Sequence, residues 1–194
     1  ATLSDEGWNY SRTFTENGII FEEFLNGEAI VQAQQSIVRS GFPIAAVELS
    51  EVETNSDLRG FVINGVEAFD FSGTSVSSAG DVNGDGLDDL IVGAFHDSPN
   101  GLSSGASFVV FGKTDGTAVE LSDIEAGTGG FVINGVASFD YSGFSVSGAG
   151  DVNGDGLDDL IVGARYDAND EDIGASFVVF GKTDGTAVEL SALE

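Results

Sequence analysis

DVNGDGLDDLIVGA occupies residues 81–94 and recurs, letter for letter, at residues 151–164. Acids, an amide and glycines dominate its first nine positions, and a short apolar run with the length and composition of a strand follows. The opening is too polar for a core and too regular for a linker, so its duplication calls for a chemical reason.

Numbered from Asp81, positions 1, 3, 5 and 9 are Asp81, Asn83, Asp85 and Asp89. Position 6 is Gly86, and position 7 is Leu87, which can offer only its backbone carbonyl. The second copy supplies Asp151, Asn153, Asp155, Leu157 and Asp159 around Gly156. Alternating oxygen donors on a glycine turn suit a hard cation, with oxygens converging at about 2.3–2.6 Å. A flexible, carboxylate-rich loop suits calcium better than magnesium, so two calcium sites are expected. The loop is not an EF-hand, because position 12 holds Val92 or Val162 where a bidentate glutamate belongs. A plain turn would account for the Asn-Gly and Asp-Gly pairs. It leaves unexplained three aspartates crowded into one short loop, whose mutual repulsion strains the loop unless a cation relieves it.

The repetition extends beyond the loop. GFVINGV at 60–66 returns at 130–136, and GASFVVFGKTDGTAVELS at 105–122 returns at 174–191. The register slips by one residue in the connection that starts at His96 in one copy and Tyr166 in the other, which marks a surface loop. Strands are expected at 74–79, 89–94, 106–112 and 131–136. Four short strands per unit is the pattern of a propeller blade, and the all-apolar runs LIV and FVVF predict strands covered on both faces. The fold class is therefore all-β, with blades of four antiparallel strands. Four segments are expected: a divergent 1–46, repeat units 47–118 and 119–187, and the start of a further unit at 188–194. Within 1–46, Asn17-Gly18 and Asn26-Gly27 suggest a small meander of runs 19–25 and 29–38, with a helix over 28–39 as the competing reading.

These units resemble FG-GAP repeats, the blades of the β-propeller in integrin α subunits and in many secreted bacterial and cyanobacterial proteins. The resemblance covers about residues 47–191. Gly93-Ala94-Phe95 and Gly163-Ala164-Arg165 stand where that family has Gly-Ala-Pro, and Ser72-Gly73 and Ser142-Gly143 where it has Phe-Gly. The resemblance implies blades stabilised by calcium; it does not carry integrin-type ligand binding with it.

Composition narrows the function. Six basic against 33 acidic residues give a net charge of -27, which repels nucleic acid and anionic membranes and attracts cations. The absence of cysteine removes disulfide and zinc-thiolate frameworks. No apolar run is long enough to span a bilayer, and no signal-peptide pattern is present. The start at Ala1 and the lack of methionine read as a processed or excised product. No nucleophile elbow, phosphate loop or zinc signature is found, so no enzyme is expected. His96 reads as a surface residue, Glu22, Glu23, Glu51 and Glu53 as solvated acids, and Asp167, Asp170, Glu171 and Asp172 as an acidic loop. Asn9 begins a glycosylation sequon, a pattern that chance often produces.

VELS occurs at 47–50, 119–122 and 188–191, and only three residues follow the last copy. The second blade therefore lacks its fourth strand, while 61–66, from Phe61 to Val66, is a fourth strand without an obvious blade. A propeller closes with about four to eight blades, so two cannot close alone. One expected function is a calcium-locked extracellular or cell-surface structural or adhesive protein. It would assemble with itself as a ring or filament, the 61–66 run of one copy filling the open edge of repeat 2 in the next. The alternative is a fragment of a larger propeller that binds a glycan or protein ligand.

Overall fold

The computed structural model describes residues 11–16, 19–24, 60–166 and 174–193. The chain divides into two compact units, Ala1–Leu49 and Ser50–Glu194. In the first, β1 (Ser11–Glu16) and β2 (Ile19–Phe24) form an antiparallel hairpin with Glu16 opposite Ile19. Residues 19–24 of the expected 19–25 run thus form a strand; the 29–38 run, with its competing helix, lies outside the described residues, as do Asn9, the two Asn-Gly pairs, Glu51, Glu53 and the acidic loop 167–173.

The regular secondary structure of the second unit is nearly all strand among the described residues. β3 (Ile63–Asn64) precedes β4 (Ser75–Gly80), β5 (Asp89–Ala94) and β6 (Ala106–Val110). Then come β7 (Val119–Glu120), a one-turn helix α1 (Leu121–Glu125) and β8 (Gly130–Asn134). β9 (Ser142–Gly150), β10 (Asp159–Ala164), β11 (Ala175–Val179) and β12 (Val188–Glu189) complete it, with a 3-10 turn at Leu190–Ala192. Strands β4, β5, β6 and β8 form an antiparallel blade in that order. β9, β10 and β11 form the second blade, which has three strands among the described residues.

Two features depart from the expected antiparallel set of four. β12 adds to β8 in parallel, and β7 adds to β3 in parallel through the same residues of the repeat: Val188 and Glu189 pair with Ile133 and Asn134, as Val119 and Glu120 pair with Ile63 and Asn64. The VELS segments at 119–122 and 188–191 therefore each spend two residues as a strand on the GFVING segment of the unit before and then turn into helix. That turn buries Leu121 and Ile124 in one copy and Leu190 in the other. Among the described residues the sheets do not close into a ring.

The first blade is covered on both faces, as its uninterrupted apolar runs require. Ile91, Val109, Phe131 and Ile133 share one core with Leu160, Val162 and Val179 of the second blade. The alternate residues Val92, Phe108, Val110 and Val132 share another with Leu121 and Ile124, and Ile63, Val66 and Val119 pack against it. Each such side chain contributes roughly 1.5–3 kcal/mol on leaving water, so stacking blade on blade is a principal source of stability.

Candidate metal loops and the repeat contacts

Each acidic loop links the first two strands of its blade, β4 to β5 and β9 to β10. Its shape is set by aspartate oxygens that accept the loop's own N–H groups. Asp81 Oδ1 accepts from Gly84 at 2.8 Å and Asp85 at 3.0 Å, and its Oδ2 accepts from Gly86 at 3.0 Å. Asn83 Oδ1 accepts the Asp85 N–H at 2.8 Å, and Asp85 Oδ1 accepts the Leu87 N–H at 2.8 Å. The second loop repeats this pattern. Asp151 accepts from Gly154, Asp155 and Gly156 at 2.6, 3.1 and 3.0 Å; Asn153 accepts from Asp155 at 2.8 Å, and Asp155 from Leu157 at 2.9 Å. Gly86 and Gly156 sit at φ 86° and 94°, where a side chain would be strained.

Asp89 and Asp159 close the loops from inside the fold, both fully buried. Asp89 accepts N–H bonds from Val82 at 2.9 Å and Gly112 at 2.7 Å; Asp159 accepts from Val152 and Gly181, each at 2.9 Å. Burial pushes the Asp89 carboxyl above its ordinary value; the Gly112 and Val82 N–H groups oppose that, and the Asp85 and Asp81 charges add to it. The ion pairs among the described residues, Lys113–Asp115 at 3.0 Å and Lys182–Asp184 at 2.8 Å, lie in other turns. Asp115, held by the Thr117 hydroxyl and N–H and by Lys113, titrates at about 2.

The structure thus gathers Asp81, Asn83, Asp85 and Asp89 in one loop, and Asp151, Asn153, Asp155 and Asp159 in the other. Leu87 and Leu157 enter through their N–H groups, which Asp85 and Asp155 hold. Among the described residues no three acidic or histidine side chains form a ready metal cage. The donor set still fits a hard dication: three carboxylates and an amide oxygen per loop, one carboxylate buried, and, among the described residues, no cationic side chain paired with them.

Sequence reasoning passed over Asp158. Its carboxylate accepts the Asp81 N–H, linking one loop to the next. The signal was present as the duplicated Asp88-Asp89 and Asp158-Asp159 pairs, of which only the second members look like loop ligands. The role of the Ser-Gly and Gly-Ala dipeptides also emerges. A Cβ on Gly93 would lie 2.1 Å from the Gly143 carbonyl oxygen, and one on Gly143 would lie 2.4 Å from that of Ala106, so both glycines let the two blades' backbones meet. His96 is half-buried among rings, with centroids 4.6, 5.1 and 5.4 Å from Phe95, Phe71 and Tyr141.

Comparison with known proteins fits this geometry. Residues 72–110 and 142–179 each match the FG-GAP repeat. The chain is similar to integrin alpha pat-2 of Caenorhabditis briggsae, 38% identical over 103 residues, which is 50% of this chain and 7% of that protein. It is 32% identical over 105 residues to integrin alpha-5 of Xenopus laevis, covering 53% of this chain and 9% of that one. It is 31% identical over 140 residues to integrin alpha-PS2 of Drosophila melanogaster, covering 69% and 9%. The matched part spans less than a tenth of the length of each of these relatives. Two stretches of the second unit thus match the FG-GAP repeat, and their antiparallel strands are arranged as β-propeller-type blades.

Proposed function

We propose that the chain is a non-enzymatic, calcium-stabilised pair of propeller blades that works outside the cell or at its surface as a binding or structural module. The observation that carries this is the pair of matching loops, each presenting three carboxylates with no cationic partner among the described residues. Asp81, Asn83, Asp85 and Asp89 would hold one calcium and Asp151, Asn153, Asp155 and Asp159 the other, with the Leu87 and Leu157 carbonyls as backbone donors. A bound dication supplies positive charge where each blade needs it, pinning its first strand to its second. The extracellular setting is that of the integrin-like and secreted repeat proteins that the sequence resembles.

Similarity to integrin α chains over half or more of the sequence favours a second reading, a portion of a larger propeller that binds a protein or glycan. Both readings require calcium. Calorimetry on the calcium-free chain should give two calcium equivalents. Asp81→Asn with Asp85→Asn should remove one, and the matching pair in the second loop the other. Absence of binding heat, with equal melting temperatures in calcium and in chelator, would overturn the proposal.

A further inference from the structure

The two blades are unequally covered, and the residues that differ are repeat equivalents. Val82, Ile91 and Val109 of the first blade are each 0% exposed, whereas their counterparts Val152, Ile161 and Val178 are 57%, 38% and 43% exposed. The first set is covered by the second blade and by β8. The second set is the same apolar face without those covers, and Phe180 beside it is exposed as well. At the opposite end of the unit, Val76 and Leu90 are exposed, while their counterparts Val146 and Leu160 pack between the blades. Among the described residues one end of the pair thus presents an uncovered apolar face, and the other end presents the residues that pack on the equivalent face between the blades.

A strand whose sequence fits the open edge of β11 is also encoded in the chain. β8 docks on β6 with Val109 opposite Phe131 and Val110 opposite Gly130. Gly130 approaches so closely that a Cβ would lie 1.9 Å from the Val109 carbonyl oxygen. The segment 60–66 copies 130–136 letter for letter, Gly60 included, and 174–191 copies 105–122. Among the described residues β11 pairs only with β10, and β3 only with β7. β3 carries β7 in parallel just as β8 carries β12, so the edge of β3 equivalent to the one that β8 gives to β6 is the edge without a strand.

We infer that a second copy of this chain completes the second blade, with its 60–66 strand docked on β11 and its first blade stacked on Ile161 and Val178. The register is that of β8 on β6: Phe61 of one copy faces Val178 of the other, and Gly60 faces Val179. The contact repeats the operation that places the second blade on the first, so one relation satisfies strand edge and apolar face together. It is heterologous and advances two blades per copy. A closed ring of about four to eight blades then contains two, three or four copies; any other rotation gives an open filament. The contact does not depend on the calcium sites.

Complementation tests it. Val178→Asp spoils the accepting face, and Phe61→Asp spoils the donated strand; both positions are at least partly exposed in the single chain. At constant calcium, the unaltered chain should associate as its concentration rises in sedimentation velocity. Each variant alone should associate at least about a hundredfold more weakly, the effect of a charge placed in a dry interface. Mixed, the two variants should form a one-to-one pair that grows no further, since one intact face and one intact strand remain. The exposed Leu102→Asp should behave as the unaltered chain. An unaltered chain that stays monomeric, a Val178→Asp chain that associates undiminished, or a mixture that does not pair overturns the inference. Calorimetry on the same samples reports calcium binding separately.

Discussion

The Asp158 carboxylate accepts the Asp81 N–H at 2.8 Å, and the Asp158 N–H reaches back to the Asp81 carbonyl at 3.1 Å. Asp81 is thus fixed twice, its side chain by N–H groups of its own loop and its backbone by the following repeat. The proposed cation loop and the stacking of the second blade therefore share a residue. Asp158→Ala leaves the part-buried Asp81 N–H without its charged acceptor and should cost about 1–3 kcal/mol. Asp88→Ala, at the exposed equivalent position, should change the stability of the single chain by less than about 0.5 kcal/mol. Urea unfolding of both variants measures the difference; equal costs would show that the tie between the loops contributes no energy.

A second asymmetry between equivalent positions concerns the glycine before each Ala94 or Ala164. The Cβ of an alanine at Gly93 would meet the Gly143 carbonyl oxygen at 2.1 Å, and that oxygen belongs to the backbone of the next blade. At Gly163 the nearest atom, at 2.4 Å, is the Ser145 hydroxyl oxygen, which can rotate away. Gly93→Ala should therefore force the blades apart and cost about 3 kcal/mol, the upper end of overpacking, while Gly163→Ala should cost about 1 kcal/mol. Thermal melts followed by circular dichroism would rank them, and a reversed order would contradict the assigned packing.

Much of this was legible because the chain states its repeat twice. The run 89–94 forms the strand β5 over the same residues, and both faces of the first blade are buried, as its apolar runs demanded. The second blade does not follow the same rule, because its letters match the first while its neighbours differ: Ile161 and Ile91 are the same residue in unlike surroundings. The expected strand 106–112 ends at Val110, since Gly112 leaves the ladder to give its N–H to Asp89. The parallel additions of β7 and β12 were not legible at all. Two residues give no usable period, and the Leu-Ser dipeptides that follow carry no cap or apolar stripe that marks a helical turn; tertiary packing sets it by burying Leu121 and Leu190. The ligand-type residues were recognisable from spacing, but Asp158 was not, since its partner lies in the other repeat.

Asp97 offers a prediction in which pH sets the sign. Burial raises its carboxyl above the ordinary 3.8; the Ser98 N–H, at 2.6 Å, opposes this, and the charges of Asp70 and Glu67 add to it. Glu125 is raised as well, by burial and then by Asp97, Asp70 and Glu67, so four acids act on one another here. For an acid whose folded value lies above its unfolded one, the fold holds the proton more tightly than the unfolded chain does. Its contribution is then most favourable below about pH 4 and is lost as pH rises through the raised folded value. At pH 7 the ionised Asp97 opposes folding, and Asp97→Asn keeps an oxygen for the Ser98 N–H while removing the charge. The variant should melt higher than the unaltered chain at pH 7, by the equivalent of less than about 1 kcal/mol because the site is partly solvated. Near pH 4 the two should melt together. An equal gain at both pH values would mean that ionisation is not the cost, and a loss at pH 7 would mean that the carboxylate's bond to Ser98 outweighs the repulsion around it.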